Sequence, residues 1–240
     1  MTPRLLFLAV ALAASLAGAP AAACSMDGVY RPPTNFELAA GADTIVLGTV
    51  ERVEEGEGMW GTVIVRPTLL LKGAALPAEV RLRGDLPGRG HSATRSDPLE
   101  LSRPNPHVFS GACSRYVFEP GMQLVLFLER NSKGELQPSN PPFSRAAEDV
   151  PGPDALWVKA VRLYAEISGL PAGRRRAALL ARRAALLSYG EPDAAVLAAD
   201  IDRQVEEVDK RRWQDEMDAL YELITTTVPL FDGKPFRIAR

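Results

Sequence analysis

The hydrophobic pattern of the chain changes character near Val150. Before that point, short apolar runs rich in β-branched residues are separated by turns that contain Gly and Pro, as in an antiparallel sheet. After it, apolar residues recur at helical spacing among Ala, Leu, Arg and Glu. We therefore predict an α+β protein, with a strand-rich unit at 24–150 and a helical unit at 151–240.

The strand-rich unit contains several runs of strand character. The predicted strands cover residues 44–53, 61–72, 79–83, 121–130 and 135–137, and a turn at 131–134 joins the last two. In the first strand, Ile45, Leu47 and Val53 alternate with polar neighbours, and the strand at 121–130 has the apolar character of a central strand. Strands of this length with short connections favour a small barrel or sandwich over a parallel α/β sheet.

Two features interrupt the regular strand pattern. Pro67 stands inside the second strand, and because proline cannot donate to a strand ladder it predicts a β-bulge or an edge position. The segment 84–112 is rich in Gly, Pro and Ser and is too long for an ordinary connection. Segments of that kind are functional or disordered, and we expect disorder here.

The helical unit is predicted to hold three to four helices. The first covers 154–169 and ends at Gly169, and the second begins at Pro171 and ends at Gly190. Pro192 opens the last and longest helical tract. Its apolar spacing breaks after Val208, which predicts a kink or loop near Lys210 before Pro229 ends the tract.

The first 23 residues have the features of a cleaved signal peptide. A basic start at 1–4 precedes an apolar run at 5–18, and small residues fill 19–23. The run is short of the roughly 20 apolar residues that span a bilayer. No other stretch approaches that length, so we expect a periplasmic or secreted protein with no transmembrane span in its mature part.

The only cysteines of the sequence are Cys24 and Cys113. In an oxidising compartment such a pair is most simply interpreted as a disulfide, and two cysteines without clustered histidines cannot build a structural zinc site. Cleavage after Ala23 would leave Cys24 as a free amino terminus. Cleavage after Ala21 also fits, because signal peptidase requires small residues before the cleaved bond and both positions have them. Lipid attachment to Cys24 is a minor alternative, because Ala21 stands where that modification needs a bulky aliphatic residue.

Composition and motifs argue against several function classes. A formal net charge of −2 does not indicate a nucleic-acid binder, and the Ala, Pro and Arg bias points to a bacterial, GC-rich genome. The sequence has no nucleophile elbow, phosphate-binding loop or dinucleotide fingerprint. His91 and His107 both lie in the Gly- and Pro-rich segment, without metal-ligand spacing, where we expect them to be exposed and solvated. We therefore predict a binding module without cofactor or metal rather than an enzyme, and a hydrolase using either histidine is the weaker alternative.

Several arginines lie along the second predicted helix, at 174–176 and 182–183. They could meet acidic partners or anionic lipid headgroups. The plainer interpretation is a solvated face that Asp and Glu of the last helix neutralise.

The order of motifs in the strand-rich unit resembles that of a known family. A cysteine at the cleavage site precedes ADTIVLGTV at 42–50, LLLKG at 69–73, VRLR at 80–83, Cys113 and finally YVFEPGMQLVLFL at 116–128. This order is similar to the netrin-like domain, an OB-fold barrel shared with tissue inhibitors of metalloproteinases and their bacterial relatives. The resemblance covers roughly 24–143.

The resemblance implies a disulfide from Cys24 to Cys113 and a small OB-fold-like barrel. In the inhibitors, the amino group and carbonyl of the leading cysteine bind the open position of the protease zinc. Carried over, Cys24 would be the zinc-directed residue, with Ser25 and Met26 beside it at the specificity pocket and Cys113 as its clamp. The chain departs from the inhibitors because it has no C-x-C start, no third cysteine and a helical unit in place of their second domain.

The sequence thus predicts an exported, netrin-like module that binds a protein partner, with a metalloprotease as the most concrete candidate. The alternative is a non-inhibitory structural envelope protein or lipoprotein, in which barrel and helices only scaffold an assembly.

Overall fold

A computed structural model describes residues 30–54, 60–87, 93–190 and 192–206. Within these ranges the protein is α+β, with one open antiparallel sheet of six strands and four α-helices. The predicted signal peptide, residues 24–26, His91 and the break predicted near Lys210 lie outside the described residues. None of the described helices is both long and apolar enough to cross a membrane.

The sheet contains the predicted strands and one more. Its strands are β1 Thr44–Glu54, β2 Gly61–Lys72, β3 Val80–Gly84, β4 Gln123–Arg130, β5 Leu136–Pro138 and β6 Ala147–Val150. The order across the sheet is β3-β2-β1-β4-β5, and β6 pairs with β4 on the same side as β5. The five predicted strands are confirmed, whereas β6 was not predicted.

The helices are α1 Asn35–Gly41, α2 Leu156–Ser168, α3 Ala172–Tyr189 and α4 Pro192–Val205. The predicted limits of α3 are confirmed, because Pro171 caps its start and Gly190, with φ 65°, takes the left-handed conformation that ends it. The sequence prediction missed α1. Its start is a capping box in which Thr34 and Glu37 each accept a hydrogen bond from the other's backbone N–H.

β1 and β4 are apolar on both faces. Ile45 and Leu47 belong to a cluster shared with the helices, whereas Val46 and Val50 face the other side of the sheet. The predicted polar alternation along β1 is therefore wrong over its first half. Two-sided burial explains the nearly continuous apolar run of this strand.

The helices cover one face of the sheet. The indole of Trp157 in α2 packs 6.1 Å from the ring of Phe127 in β4, and Tyr164 meets Phe36 of α1 edge to face at 5.9 Å. A single hydrophobic cluster contains residues of β1, β4 and all four helices. Strand and helix segments thus share one core across the boundary predicted at Val150.

The sheet is not the closed barrel that the sequence predicted. Its edge strands β3 and β5 approach each other but do not pair. Closure would require a continuous ladder between them. The β5 strand is only three residues long and ends in Pro138, which has no N–H to donate.

Pro67 lies at a β-bulge, as predicted. The register between β1 and β2 shifts between Leu47 and Gly48, and Gly48 stands opposite Pro67. A Cβ on Gly48 would meet Val65 Cγ1 at 2.7 Å and the Pro67 Cα at 3.2 Å. The absence of a side chain at Gly48 therefore allows β2 to lie close to β1 at the bulge.

The segment 84–112 is ordered in its described parts, 84–87 and 93–112, so the expected disorder is wrong there. Leu101, Asn105 and Val108 are buried, and Pro106–Phe109 forms a 3₁₀-helix. Asn105 begins that turn by accepting a hydrogen bond from the His107 N–H at 2.9 Å. A few apolar anchors and buried polar contacts hold the segment against the sheet.

The carboxylate of Asp200 in α4 joins three helices. It is fully buried and accepts hydrogen bonds from the Tyr164 hydroxyl at 2.6 Å, the Asn35 amide at 3.1 Å and Arg203 at 2.8 Å. Burial, and then the charge of Asp200, raises the pKa of Tyr164 far above its usual range. The phenol therefore stays protonated as a donor to Asp200.

We expect Asp200→Ala to lower the free energy of unfolding by about 3 kcal/mol or more, because it leaves buried donors without their acceptor. Asp202→Ala is the matched control in the same helix, since Asp202 forms a half-exposed ion pair with Arg183. The free energy of unfolding should fall by less than about 1 kcal/mol in Asp202→Ala. Urea unfolding of both variants measures the difference, and equal losses would contradict the central role of Asp200.

Candidate functional site

Cys113 lies in the loop that precedes β4. It is 6% exposed, and its carbonyl accepts a hydrogen bond from the Phe143 N–H at 2.7 Å. Cys113 and Phe143 have φ values of 57° and 54°, a left-handed conformation that is uncommon for residues other than glycine. The surrounding contacts hold both residues in this unfavourable conformation.

An apolar cluster surrounds Cys113 and reaches the start of the described chain. Val108, Cys113 and Phe143 form its buried centre, and Tyr30 and Phe109 pack against them. The Tyr30 hydroxyl donates to the Pro142 carbonyl at 2.8 Å. We call these five residues the anchor cluster, because they fix the chain six residues after Cys24.

The predicted site residues are thus only partly placed. Cys113 is central to the anchor cluster, whereas Cys24, Ser25 and Met26 lie outside the described residues. The described part of the chain contains no free cysteine. The pairing of Cys113 with Cys24 and the zinc-directed role of Cys24 stay predictions.

A cleft of about 650 Å³ opens beside the anchor cluster, between the two edges of the sheet. Arg81 and Arg83 of β3 form one wall, and Gln137 of β5 and Asn140 stand on the other. Leu82, Phe118 and Leu126 reach it from the apolar interior of the curved sheet. Ala112 and Ser114, the neighbours of Cys113, also line it, so the cleft and the anchor cluster adjoin.

Aromatic rings form the end wall of the cleft. The guanidinium of Arg83 lies over the Trp60 ring at 5.3 Å from its centroid, and Trp60 meets Tyr116 edge to face at 4.5 Å. The imidazole of His107 packs on Tyr116 at 4.4 Å and is buried. The predicted exposure of His107 is therefore wrong, because its ring belongs to the packed loop.

A buried charged network holds the cleft wall in place. Arg115 donates to the Asp149 carboxylate of β6 at 2.5 Å and to the Thr94 carbonyl at 2.9 Å. The Ser96 hydroxyl donates to Asp149 at 2.7 Å, and the Asn105 N–H donates to Glu148 at 2.7 Å. These contacts fasten the segment from residue 94 to 115 onto β6.

Asp149 is charged within this network. Burial by itself raises the pKa of its carboxyl, but the charge of Arg115 and hydrogen bonds from Ser96 outweigh burial. The pKa of Asp149 therefore lies below its ordinary value of 3.8. The ion pair with Arg115 persists at neutral pH.

The arginines of α3 behave mainly as a solvated face. Arg183 pairs with Asp202 of α4, as the neutralisation by the last helix predicted. Arg175 donates to the Leu170 carbonyl at 2.9 Å. Arg174, Arg176 and Arg182 are exposed and lie on the helical layer, away from the cleft.

Sequence reasoning missed the residues that shape the cleft. Trp60, Arg83 and Tyr116 come from three separate segments, and no local spacing connects them.

Among the described residues, no group of three or more His, Cys, Asp or Glu side chains is arranged to hold a metal ion.

Because the folded-state pKa of Asp149 is depressed, its ionised form stabilises the fold at neutral pH. This contribution is lost as the pH falls below the ordinary pKa of 3.8 and through the lower pKa of the folded state. We expect Asp149→Asn to lower the free energy of unfolding by about 3 kcal/mol at pH 7, because Arg115 loses its buried partner. The difference from the parent protein should shrink at low pH, where the parent carboxyl is also uncharged. Urea unfolding at several pH values measures it.

Glu119→Gln is the control, since Glu119 pairs with Arg95 at the surface. Its effect should stay below about 1 kcal/mol throughout. A loss in Asp149→Asn that is the same at pH 7 and at low pH would contradict the assignment.

Comparison with known proteins identifies no relative: no family model matches the chain, and no curated protein matches it. The resemblance to the netrin-like domain therefore rests on the order of motifs in the sequence and stays a prediction.

Proposed function

We propose that the chain is an exported protein-binding module that presents the residues before Tyr30 to a protein partner. The observation that carries this proposal is the anchor of Tyr30, whose hydroxyl donates to the Pro142 carbonyl and whose ring packs beside Cys113. The position of Tyr30 beside Cys113 supports the proposal that the residues before it are presented at this end of the molecule.

The distance along the chain supports this arrangement. Tyr30 stands six positions after Cys24, and an extended chain of that length spans at most about 20 Å. A bond from Cys24 to Cys113 would fold this short segment back onto the anchor cluster. A segment held at both ends loses less conformational freedom on binding, which favours affinity.

The most concrete form of the proposal is inhibition of a zinc metalloprotease. It follows from the resemblance to the tissue inhibitors of metalloproteinases within the netrin-like family, in which the leading cysteine binds the protease zinc. An uncharged amine and a carbonyl oxygen at Cys24 could fill the position that a catalytic zinc leaves open. Ser25 and Met26 would then lie at the specificity pocket of the protease.

Photo-crosslinking in living cells tests the proposal. A photoreactive amino acid at Ser25 should give a covalent adduct with one partner protein, which mass spectrometry identifies. The same amino acid at Lys133, an exposed residue in the turn between β4 and β5, is the matched control and should give no such adduct. The comparison separates a specific contact at the chain start from general proximity in the cell envelope.

Equal adducts from both positions, or none from Ser25, would contradict the binding role and favour a scaffold or a lipoprotein anchored at Cys24. An adduct with a protein other than a metalloprotease would support binding and contradict inhibition.

A further inference from the structure

The cleft between β3 and β5 carries positive charge that nothing in the proposed role of the chain start uses. Its lining includes Arg81, Arg83 and Arg115, and no Asp or Glu occurs among the described residues that line it. Carboxylates outside the lining neutralise Arg81 and Arg115, so the uncompensated positive charge of the cleft is that of Arg83. A cleft of one sign attracts ligands of the opposite sign.

Arg83 is the arginine of the cleft that is available to a ligand. Arg115 is bound to Asp149, and Arg81 pairs with Glu54 at 2.5 Å and Glu79 at 2.8 Å. No ion pair joins Arg83 to any residue that the structure describes, although it stands two positions from Arg81 on the same face of β3. Its guanidinium can therefore pair with a carboxylate from outside.

Trp60 orients the Arg83 side chain. A guanidinium stacked on an indole keeps its N–H donors at the rim of the ring, where they remain free to bind an anion. Trp60 and Tyr116 also offer apolar ring surface directly beside that charge. A carboxylate next to an apolar group fits this combination.

The walls of the cleft favour a peptide as the occupant. β3 pairs only with β2, and β5 pairs only with β4, among the described strands. The edge of β3 is covered from Asp85 onward, where Asp85 bridges to Val117, so the unpaired edge on that side is limited to β3 itself. The exposed amides of Gln137 and Asn140 stand on the rim. An extended peptide supplies the donors and acceptors that such edges bind. The volume of about 650 Å³ lies within the range of ligand sites.

We propose that this cleft binds an extended acidic peptide segment, with one carboxylate paired to Arg83 and an adjacent apolar side chain against Trp60 and Tyr116. The site involves no residue before Tyr30. It is therefore independent of the proposed contact at the chain start, and either can fail without the other.

The test uses the full mature chain and a fluorescent hexapeptide of alternating glutamate and valine, blocked at both ends. Fluorescence anisotropy measures its dissociation constant. Arg83→Gln should weaken binding about tenfold or more, because a charge-assisted hydrogen-bonded pair is lost. Arg103→Gln removes the same charge from an exposed position outside the cleft, and its effect should stay below about twofold.

A second peptide with glutamine in place of glutamate should bind the parent protein as weakly as the acidic peptide binds Arg83→Gln. Unchanged binding of the acidic peptide to Arg83→Gln would overturn the proposal. So would displacement of the peptide by free glutarate at similar concentration, which would identify a small acid as the ligand. Tighter binding of an oligothymidylate than of the peptide would identify a nucleic-acid site instead.

Discussion

The fold depends on the burial of β1 and β4 on both of their faces. A strand that is apolar on both sides must be covered on both sides, because each exposed apolar surface would cost free energy in water. Ile45 and Phe127 are covered by the helical layer, whereas Val46 and Leu126 face the interior of the curved sheet. Ile45 pairs with Phe127 on the helix-covered face, and Val46 pairs with Leu126 on the other face. A slip of one residue in this register would turn the side chains of one strand to the opposite face of the sheet.

The curvature that encloses the second face also creates the candidate sites. It brings β3 and β5 towards each other without pairing them, and the cleft occupies the gap. The segment from residue 94 to 115 covers one end of this gap and is fixed by Arg115 and Asp149. The same segment carries Cys113 to the anchor cluster, so the buried ion pair helps to position both the cleft wall and Cys113.

Much of the sheet and of the helical layer could be predicted, because residues close together in sequence determine these elements. Runs of β-branched residues marked the strands, Pro67 marked the bulge, and Pro171 and Gly190 marked the limits of α3. The capping box of Thr34 and Glu37 was also a readable signal for α1, although the helix is only seven residues long. These features depend on residues close together in sequence.

Long-range contacts explain what was missed. The sequence of β6, AEDV, has no strand-like alternation. Its two buried carboxylates are held by partners from a distant segment, Arg115 at Asp149 and the Asn105 N–H at Glu148. The cleft likewise needs Trp60, Arg83 and Tyr116 to meet across the fold. A closed barrel was predicted from the short connections between strands and from the resemblance to the netrin-like domain. The three-residue length of β5 instead leaves the sheet open.

The central functional claim is that the mature chain begins at Cys24 and is tied to Cys113 beside the cleft. Peptide mapping of the exported protein, alkylated without reduction, tests it directly. The account predicts one crosslinked pair of peptides, with Cys24 as an unblocked amino-terminal residue bonded to Cys113. Alkylated Cys113, or an amino terminus other than Cys24, would contradict it.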